Sequence, residues 1–176
     1  MIDKYPLLTR FLHWITALLV IMLFTSGWYM VELDYYSSWY QTLPELHYAG
    51  GVLLLLLWFW VLLRLFSKQQ HDFNFNKSHK PFERFASKWV KRLFYLLVTV
   101  MVSTGYLMAT GQGEPMILFE IFKLPAVSHF SASQIDTMGM IHEYVSYTLI
   151  VLVFIHASGA IKHHLIDKDN TLKHMI

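Results

Sequence analysis

Residues 141–161 read IHEYVSYTLIVLVFIHASGAI, and this stretch decides the fold. From Tyr144 to Ile161 it runs 18 residues without Asp, Glu, Lys or Arg, about what a helix needs to cross a ~30 Å hydrocarbon core. Two histidines, His142 and His156, lie inside or at the edge of it, fourteen residues apart. That spacing is close to four α-helical turns, so both imidazoles leave nearly the same face, about 21 Å apart along the axis. Ionisable side chains within a membrane helix are costly and by default indicate function.

Three more apolar blocks of the same kind precede it: Phe11–Val31 (21 residues), Leu46–Leu63 (18) and Leu93–Gly113 (21). Together they use most of the 176 residues, 55% of which are hydrophobic and only 15% charged. The expectation is a single domain over residues 1–176. It is an all-α, integral membrane four-helix bundle with spans near 7–31, 43–66, 89–111 and 134–165. The first block follows Lys4 and Arg10 as a signal peptide would. It is long for one, however, contains His13, Trp14 and Trp28, and precedes no small-x-small cleavage site, so it reads as a retained span.

Charge sets the orientation. All the basic residues except Lys123 fall on one side of a four-span chain: Lys4 and Arg10, then Arg64 to Arg92, then Lys162, Lys168 and Lys173. The positive-inside rule puts that side, with both termini, in the cytoplasm. The opposite face carries Glu32, Asp34, Glu45, Glu114, Glu120 and Asp136 against Lys123. The net charge of +2 therefore hides a polarised molecule whose surroundings are membrane lipid, and nucleic acid is not an expected partner. Tryptophans and tyrosines near span ends, such as Trp28, Tyr29, Trp39, Tyr40 and Trp89, suit interfacial belts.

Local signals mark the ends. Tyr5-Pro6 opens the first helix, Thr42-Leu43-Pro44-Glu45 has the form of a capping box for the second, and Ser133 with Asp136 is the expected start of the fourth. Residues 67–88 read as a polar cytoplasmic loop containing His71 and His79. Residues 111–132 read as an outer loop whose Met116-Ile117-Leu118-Phe119 run lies on the interface, and no strand alternation is apparent.

Depth along the spans pairs the histidines. His13 lies just after the inner start of the first helix and His156 just before the inner end of the fourth. His47 lies near the outer start of the second helix and His142 in the outer part of the fourth. Each pair can supply two imidazoles to one six-coordinate haem iron, an arrangement with no open position that suits electron transfer. A zinc or non-haem iron site would gather its ligands at one depth, whereas these are spread over ~21 Å. The chain has no cysteine, which excludes disulfides, iron–sulfur clusters and covalent haem attachment, so any haem is held non-covalently. His163 shares roughly the face of His156 and is the alternative inner ligand, though it sits beside Lys162 at the membrane boundary. Arg10, three residues before His13, is a candidate partner for haem propionates or a positive-inside anchor. Gly50, Gly51 and Gly159 allow close approach of a macrocycle or of a neighbouring helix. Glu143 is about 100° around the helix from His142 and is not expected to share its direction.

Taken together, Arg10-Phe11-Leu12-His13-Trp14, His47-x-x-x-Gly51, Thr104-Gly105-Tyr106-Leu107-Met108, Ile141-His142-Glu143, His156, Lys162-His163-His164 and Asp169-Asn170-Thr171-Leu172-Lys173-His174-Met175 resemble bacterial cytochrome b561 over essentially the whole chain. The resemblance implies a multi-pass protein of the bacterial inner membrane with two haem b groups, whose iron ligands map onto His13, His47, His142 and His156. It also implies exchange of electrons with the quinone pool, ubiquinone or another quinone, and with a periplasmic redox partner. Trp14, His163 and His164, beside Arg10, are the candidate quinone residues. One branch of the family looks like a superoxide oxidase, for which an electropositive outer entrance is expected; the outer loops here are acidic instead. Two other readings remain: a membrane cytochrome subunit passing electrons to a partner oxidoreductase, and a proton or metal transporter using the histidines directly.

Overall fold

The computed structural model describes residues 4–66 and 80–176. Four long helices dominate them: α1 (Leu7–Met30), α2 (Thr42–Phe66), α3 (Pro81–Ala109) and α4 (Ala132–Leu165). All four are long and apolar enough to cross a membrane. The 34 residues of α4 extend about 51 Å, so this helix projects beyond a ~30 Å hydrocarbon core.

Large apolar side chains such as Leu18, Met22, Leu56, Phe59, Phe154 and Ile155 are exposed around the bundle, as lipid-facing residues must be. The buried core is small and central: Val20 from α1, Leu54 and Trp58 from α2, Val98 from α3 and Leu149 from α4. Leu149 is seven residues from both His142 and His156, so on α4 the core lies midway between the two histidine levels. Trp58 satisfies its indole by donating to Thr99 Oγ1 at 3.0 Å, and Thr99 donates to the Tyr95 carbonyl at 2.7 Å. A polar ring atom in this layer thus has a partner without water.

The helices pack as two antiparallel hairpins, α1 with α2 and α3 with α4, and contact between the hairpins is sparser. Gly50 on α2 faces Leu23 of α1 so closely that a Cβ there would lie 3.0 Å from Leu23 Cδ2. Small residues of this kind let membrane helices approach. Where hairpin meets hairpin, packing is loose enough to leave a cleft.

Several helix ends differ from the sequence reading. Pro6 is the N-cap of α1, and the helix begins at Leu7. The polar stretch expected to remain a loop to residue 88 is already helical from Pro81, whose fixed φ and missing N–H suit a first helical position. Glu83 accepts from the Lys80 backbone N–H at 3.1 Å and stabilises that start. His71 and His79 lie outside the described residues. α4 is capped by Ser131, not Ser133. Its Oγ accepts from Gln134 N, while Gln134 Oε1 accepts from Ser131 N at 2.9 Å. The outer loop contains an antiparallel hairpin, β1 (Met116–Leu118) with β2 (Phe122–Leu124). Its turn places Phe119 (φ 50°) and Glu120 (φ 58°) in the left-handed region, where Asn or Gly would ordinarily be expected. Met116 and Leu118 are buried and Ile117 is exposed, so this run alternates inward and outward.

The C-terminal segment returns to the start of α1. A 3-10 turn, Leu172–His174, follows α4, and the His174 carbonyl accepts from Tyr5 N at 3.0 Å. The outer end of α3 is closely fitted. At Gly111 an added Cβ would lie 2.9 Å from both Ile135 Cγ1 and the Leu107 carbonyl oxygen, and a backbone oxygen cannot swing aside. Gly111→Ala is therefore expected to lower the midpoint of thermal unfolding in detergent; an unchanged midpoint would show that this junction adapts freely.

Candidate functional site

Four histidines from three helices meet in two pairs. His13 of α1 and His156 of α4 have ring centroids 6.2 Å apart with planes at 70°. His47 of α2 and His142 of α4 have centroids 6.5 Å apart with planes at 69°. Each pair bridges the two helix hairpins. His13, His47 and His142 are partly buried and His156 is exposed, so none is sealed in by protein alone.

This geometry fits one metal ion per pair. With about 2 Å from metal to each nitrogen, and the nitrogen about 1.1 Å from the ring centre, two imidazoles on opposite sides of one ion have centroids about 6.2 Å apart. Both observed separations lie close to that value, too far for a direct imidazole–imidazole hydrogen bond along the same line.

The surroundings of the outer pair suit a large planar group. A cavity of about 400 Å³ is lined by His47, His142, Gly51, Gly105, Tyr147 and Leu149, among others, within the range of cofactor pockets. At Gly51 an added Cβ would meet nothing within 4 Å, so this glycine opens onto space. Glu143 also lines the cavity, although its angular offset from His142 argued otherwise.

Both outer imidazoles are held from behind. Ser26 Oγ lies 3.0 Å from His47 Nδ1, and Thr104 Oγ1 lies 3.0 Å from His142 Nδ1. The next residue is glycine in each case, and a Cβ on Gly27 or Gly105 would stand 3.0 Å from the Cε1 of the same histidine. Sequence reasoning did not single out Ser26 or Gly27, and it gave Thr104 and Gly105 no role. The usable signal was a hydroxyl–glycine dipeptide at matching outer depth in two spans. The inner pair is flanked by aromatic rings instead: Trp14 is 5.5 Å from His13, and Phe94 is 5.5 Å from His156, centroid to centroid.

At the inner end, Arg10 donates to the Ile176 carbonyl oxygen at 2.7 Å, and Trp14 Nε1 donates to the Met175 carbonyl at 2.8 Å. Both residues thus hold the C-terminal segment. Arg10 keeps a buried Nε with no hydrogen-bond partner among the described residues, as does His164 at Nδ1. His163 is differently placed: its Nδ1 lies 3.0 Å from both Asp167 Oδ2 and Asp169 Oδ2. Lys162 bonds Glu83 of α3 at 2.8 Å and Asp167 at 2.7 Å. His163 therefore belongs to the network that ties the start of α3 to the end of α4.

A membrane bundle with paired cross-helix imidazoles and no cysteine has the features of a b-type membrane cytochrome. Comparison with known proteins is specific. The family model of prokaryotic cytochrome b561 matches residues 4–176, and the chain belongs to that family. It is 35% identical over 175 residues to cytochrome b561 homolog 2 of Escherichia coli (strain K12), covering 99% of this chain and 92% of that protein. It is 27% identical over 173 residues to cytochrome b561 homolog 1 of the same organism, covering 94% and 93%. Over 180 residues it is 24% identical to a Yersinia pestis protein named probable superoxide oxidase CybB, covering 98% and 96%. The chain is accordingly a multi-pass inner-membrane protein of electron transport, and its family implies b-type haem.

The contacts at the inner end give a direct test. Trp14→Phe removes one donor to the C-terminal segment, and hydrogen–deuterium exchange at residues 174–176 is expected to accelerate. Unchanged exchange would show that other contacts hold the segment.

Proposed function

We propose that this protein carries electrons across the membrane by holding two b haems, one between His47 and His142 and one between His13 and His156, in exchange with the quinone pool. The observation that supports this most is the pair of imidazole separations, 6.2 and 6.5 Å, each suited to one doubly ligated iron. When bound, haem supplies a one-electron couple. The chain does the rest. His47 with His142, and His13 with His156, would each hold one haem iron from two sides, an arrangement that would suit electron transfer. The helices hold the two levels apart, and the apolar layer of Val20, Leu54, Val98 and Leu149 keeps water from the space between.

Arg10, with its unpartnered buried Nε, suits a haem propionate at the inner level. His164, with a buried Nδ1 free of partners among the described residues, suits proton exchange with a quinone better than His163, which faces two carboxylates. Trp14 lies beside His13 and holds the C-terminal segment at Met175, next to the Arg10 contact at Ile176. The strong inner bias of Lys and Arg supports cytoplasmic termini.

A second reading, oxidation of superoxide at the outer face with reduction of ubiquinone, is favoured by the name of the Yersinia relative. The outer acidic residues oppose it by repelling an anion. The alternative of a cytochrome subunit serving a partner oxidoreductase predicts no quinone reaction by the isolated chain. Family membership sets the histidine-transporter reading aside.

His142→Ala is expected to lose the outer haem alone and His156→Ala the inner one alone, read from haem content and visible spectra. Equal haem in both variants and the parent would contradict the assignment. Dithionite-reduced protein, freed of excess reductant, should be reoxidised rapidly by a short-chain ubiquinone; no reoxidation would favour the partner-subunit reading. If superoxide is a donor, its reaction rate should rise with ionic strength as the acidic face is screened. A rate that falls with salt would mean the entrance is locally positive.

A further inference from the structure

We propose that Ser26-Gly27 on α1 and Thr104-Gly105 on α3 are matched positioning devices that fix the tautomer, aim and electron-donating strength of His47 and His142. The inference rests on the reading that these two histidines ligate the outer haem.

A hydroxyl has one proton to donate. Ser26 Oγ gives its proton to the Leu23 carbonyl at 3.1 Å, and Thr104 Oγ1 gives its own to the Val100 carbonyl at 2.7 Å. Each oxygen therefore meets the imidazole 3.0 Å away with a lone pair. With the hydroxyl proton so placed, the contact is a hydrogen bond when the ring donates from Nδ1. In a neutral imidazole that leaves the Nε2 lone pair as the metal ligand. Within the membrane no bulk water competes for the ring, and the backbone of Leu23 and of Met101, in the same helical turns, accepts from His47 and His142 alongside the hydroxyls.

The glycines supply clearance. With Nδ1 held by the hydroxyl, the adjacent Cε1 edge lies over the backbone of the next residue, where a Cβ would stand at 3.0 Å. To relieve that contact the ring would have to shift by a few tenths of an ångström, away from its bond to the hydroxyl or from its line to its mate. The same order, hydroxyl then glycine, occurs on both helices and serves the following helix of the chain each time. His13 and His156 have no such hydroxyl among the described residues, so the device belongs to the outer level alone.

A hydrogen bond from Nδ1 to oxygen makes the opposite nitrogen a stronger donor. A stronger donor favours the oxidised, more positive iron. Removing the hydroxyl should therefore raise the outer midpoint potential and leave the inner one in place. A tenfold loss of preference for the oxidised form corresponds to about 59 mV for a one-electron couple.

The test is spectroelectrochemical titration of detergent-purified, haem-replete protein, with the outer haem identified as the one missing from His142→Ala. Ser26→Ala and the near-isosteric Thr104→Val should each raise the outer potential alone, and the double variant should raise it further. Thr104→Ser, which keeps the hydroxyl, should restore the parent value. Gly27→Ala and Gly105→Ala should lower outer haem content or its low-spin character while sparing the inner haem. Should a hydroxyl variant lose the outer haem outright, return of that haem in Thr104→Ser would support positioning and separate it from general damage. If Ser26→Ala and Thr104→Val leave the outer potential unmoved while His142→Ala lacks that haem, the inference fails and the ligand assignment stands. If His142→Ala keeps both haems, the ligand assignment itself fails.

Discussion

An imidazole within a hydrocarbon layer has two nitrogens to satisfy and no water to do it. At the outer level much of this structure follows from meeting that requirement twice. At the outer level each ring has a hydroxyl behind it and a second ring in front, at a separation that one metal ion spans. At the inner level the rings face each other beside Trp14 and Phe94. Interhelical hydrogen bonds in membranes average only ~0.6 kcal/mol, so the hydroxyls of Ser26 and Thr104 add little to stability. Their larger effect is on direction. An imidazole free to rotate would meet its mate in one orientation among several, whereas one fixed at Nδ1 offers Nε2 along a single line.

The helical architecture follows the same constraint. Packing within each hairpin is close, aided by Gly27 and Gly50, while packing between hairpins is sparse. This division places histidine-bearing surfaces on either side of a cleft. The central layer around Leu54, Trp58, Val98 and Leu149 joins the hairpins between the two histidine levels, and Trp58 meets its polar need locally through Thr99. At the inner end, the Glu83–Lys162–Asp167 chain and the docked C-terminal segment join the helix ends where the central core no longer reaches.

Much of this was legible in the sequence because membrane spans and their histidines obey simple geometry. Uninterrupted apolar length located the four helices, and fourteen residues between His142 and His156 separated the two levels. The start of α3 was obscured because Glu83, Arg84 and Lys88 read as a solvated loop, although a helix can project charged residues beyond the apolar layer. The β1–β2 hairpin was hidden by its turn, where Phe119 and Glu120 occupy left-handed conformations without Asn or Gly to announce them. Ser131 was passed over for Ser133 because Gln134, and not an acidic residue, completes the cap. The roles of Ser26-Gly27 and Thr104-Gly105 needed coordinates. Small and hydroxylated residues are ordinary in membrane helices, and only the distances to particular imidazole atoms distinguish these four. The same holds for His163, whose spacing from His156 made it a rival ligand until its two carboxylate partners were seen.

The most direct test of the account is the haem-to-polypeptide ratio of detergent-purified protein matured with ample haem, measured with its reduced-minus-oxidised spectrum. Two low-spin b haems per chain are expected, one for each imidazole pair. A single haem would leave one pair without its ion, and a chain that takes up none would contradict the account at its centre.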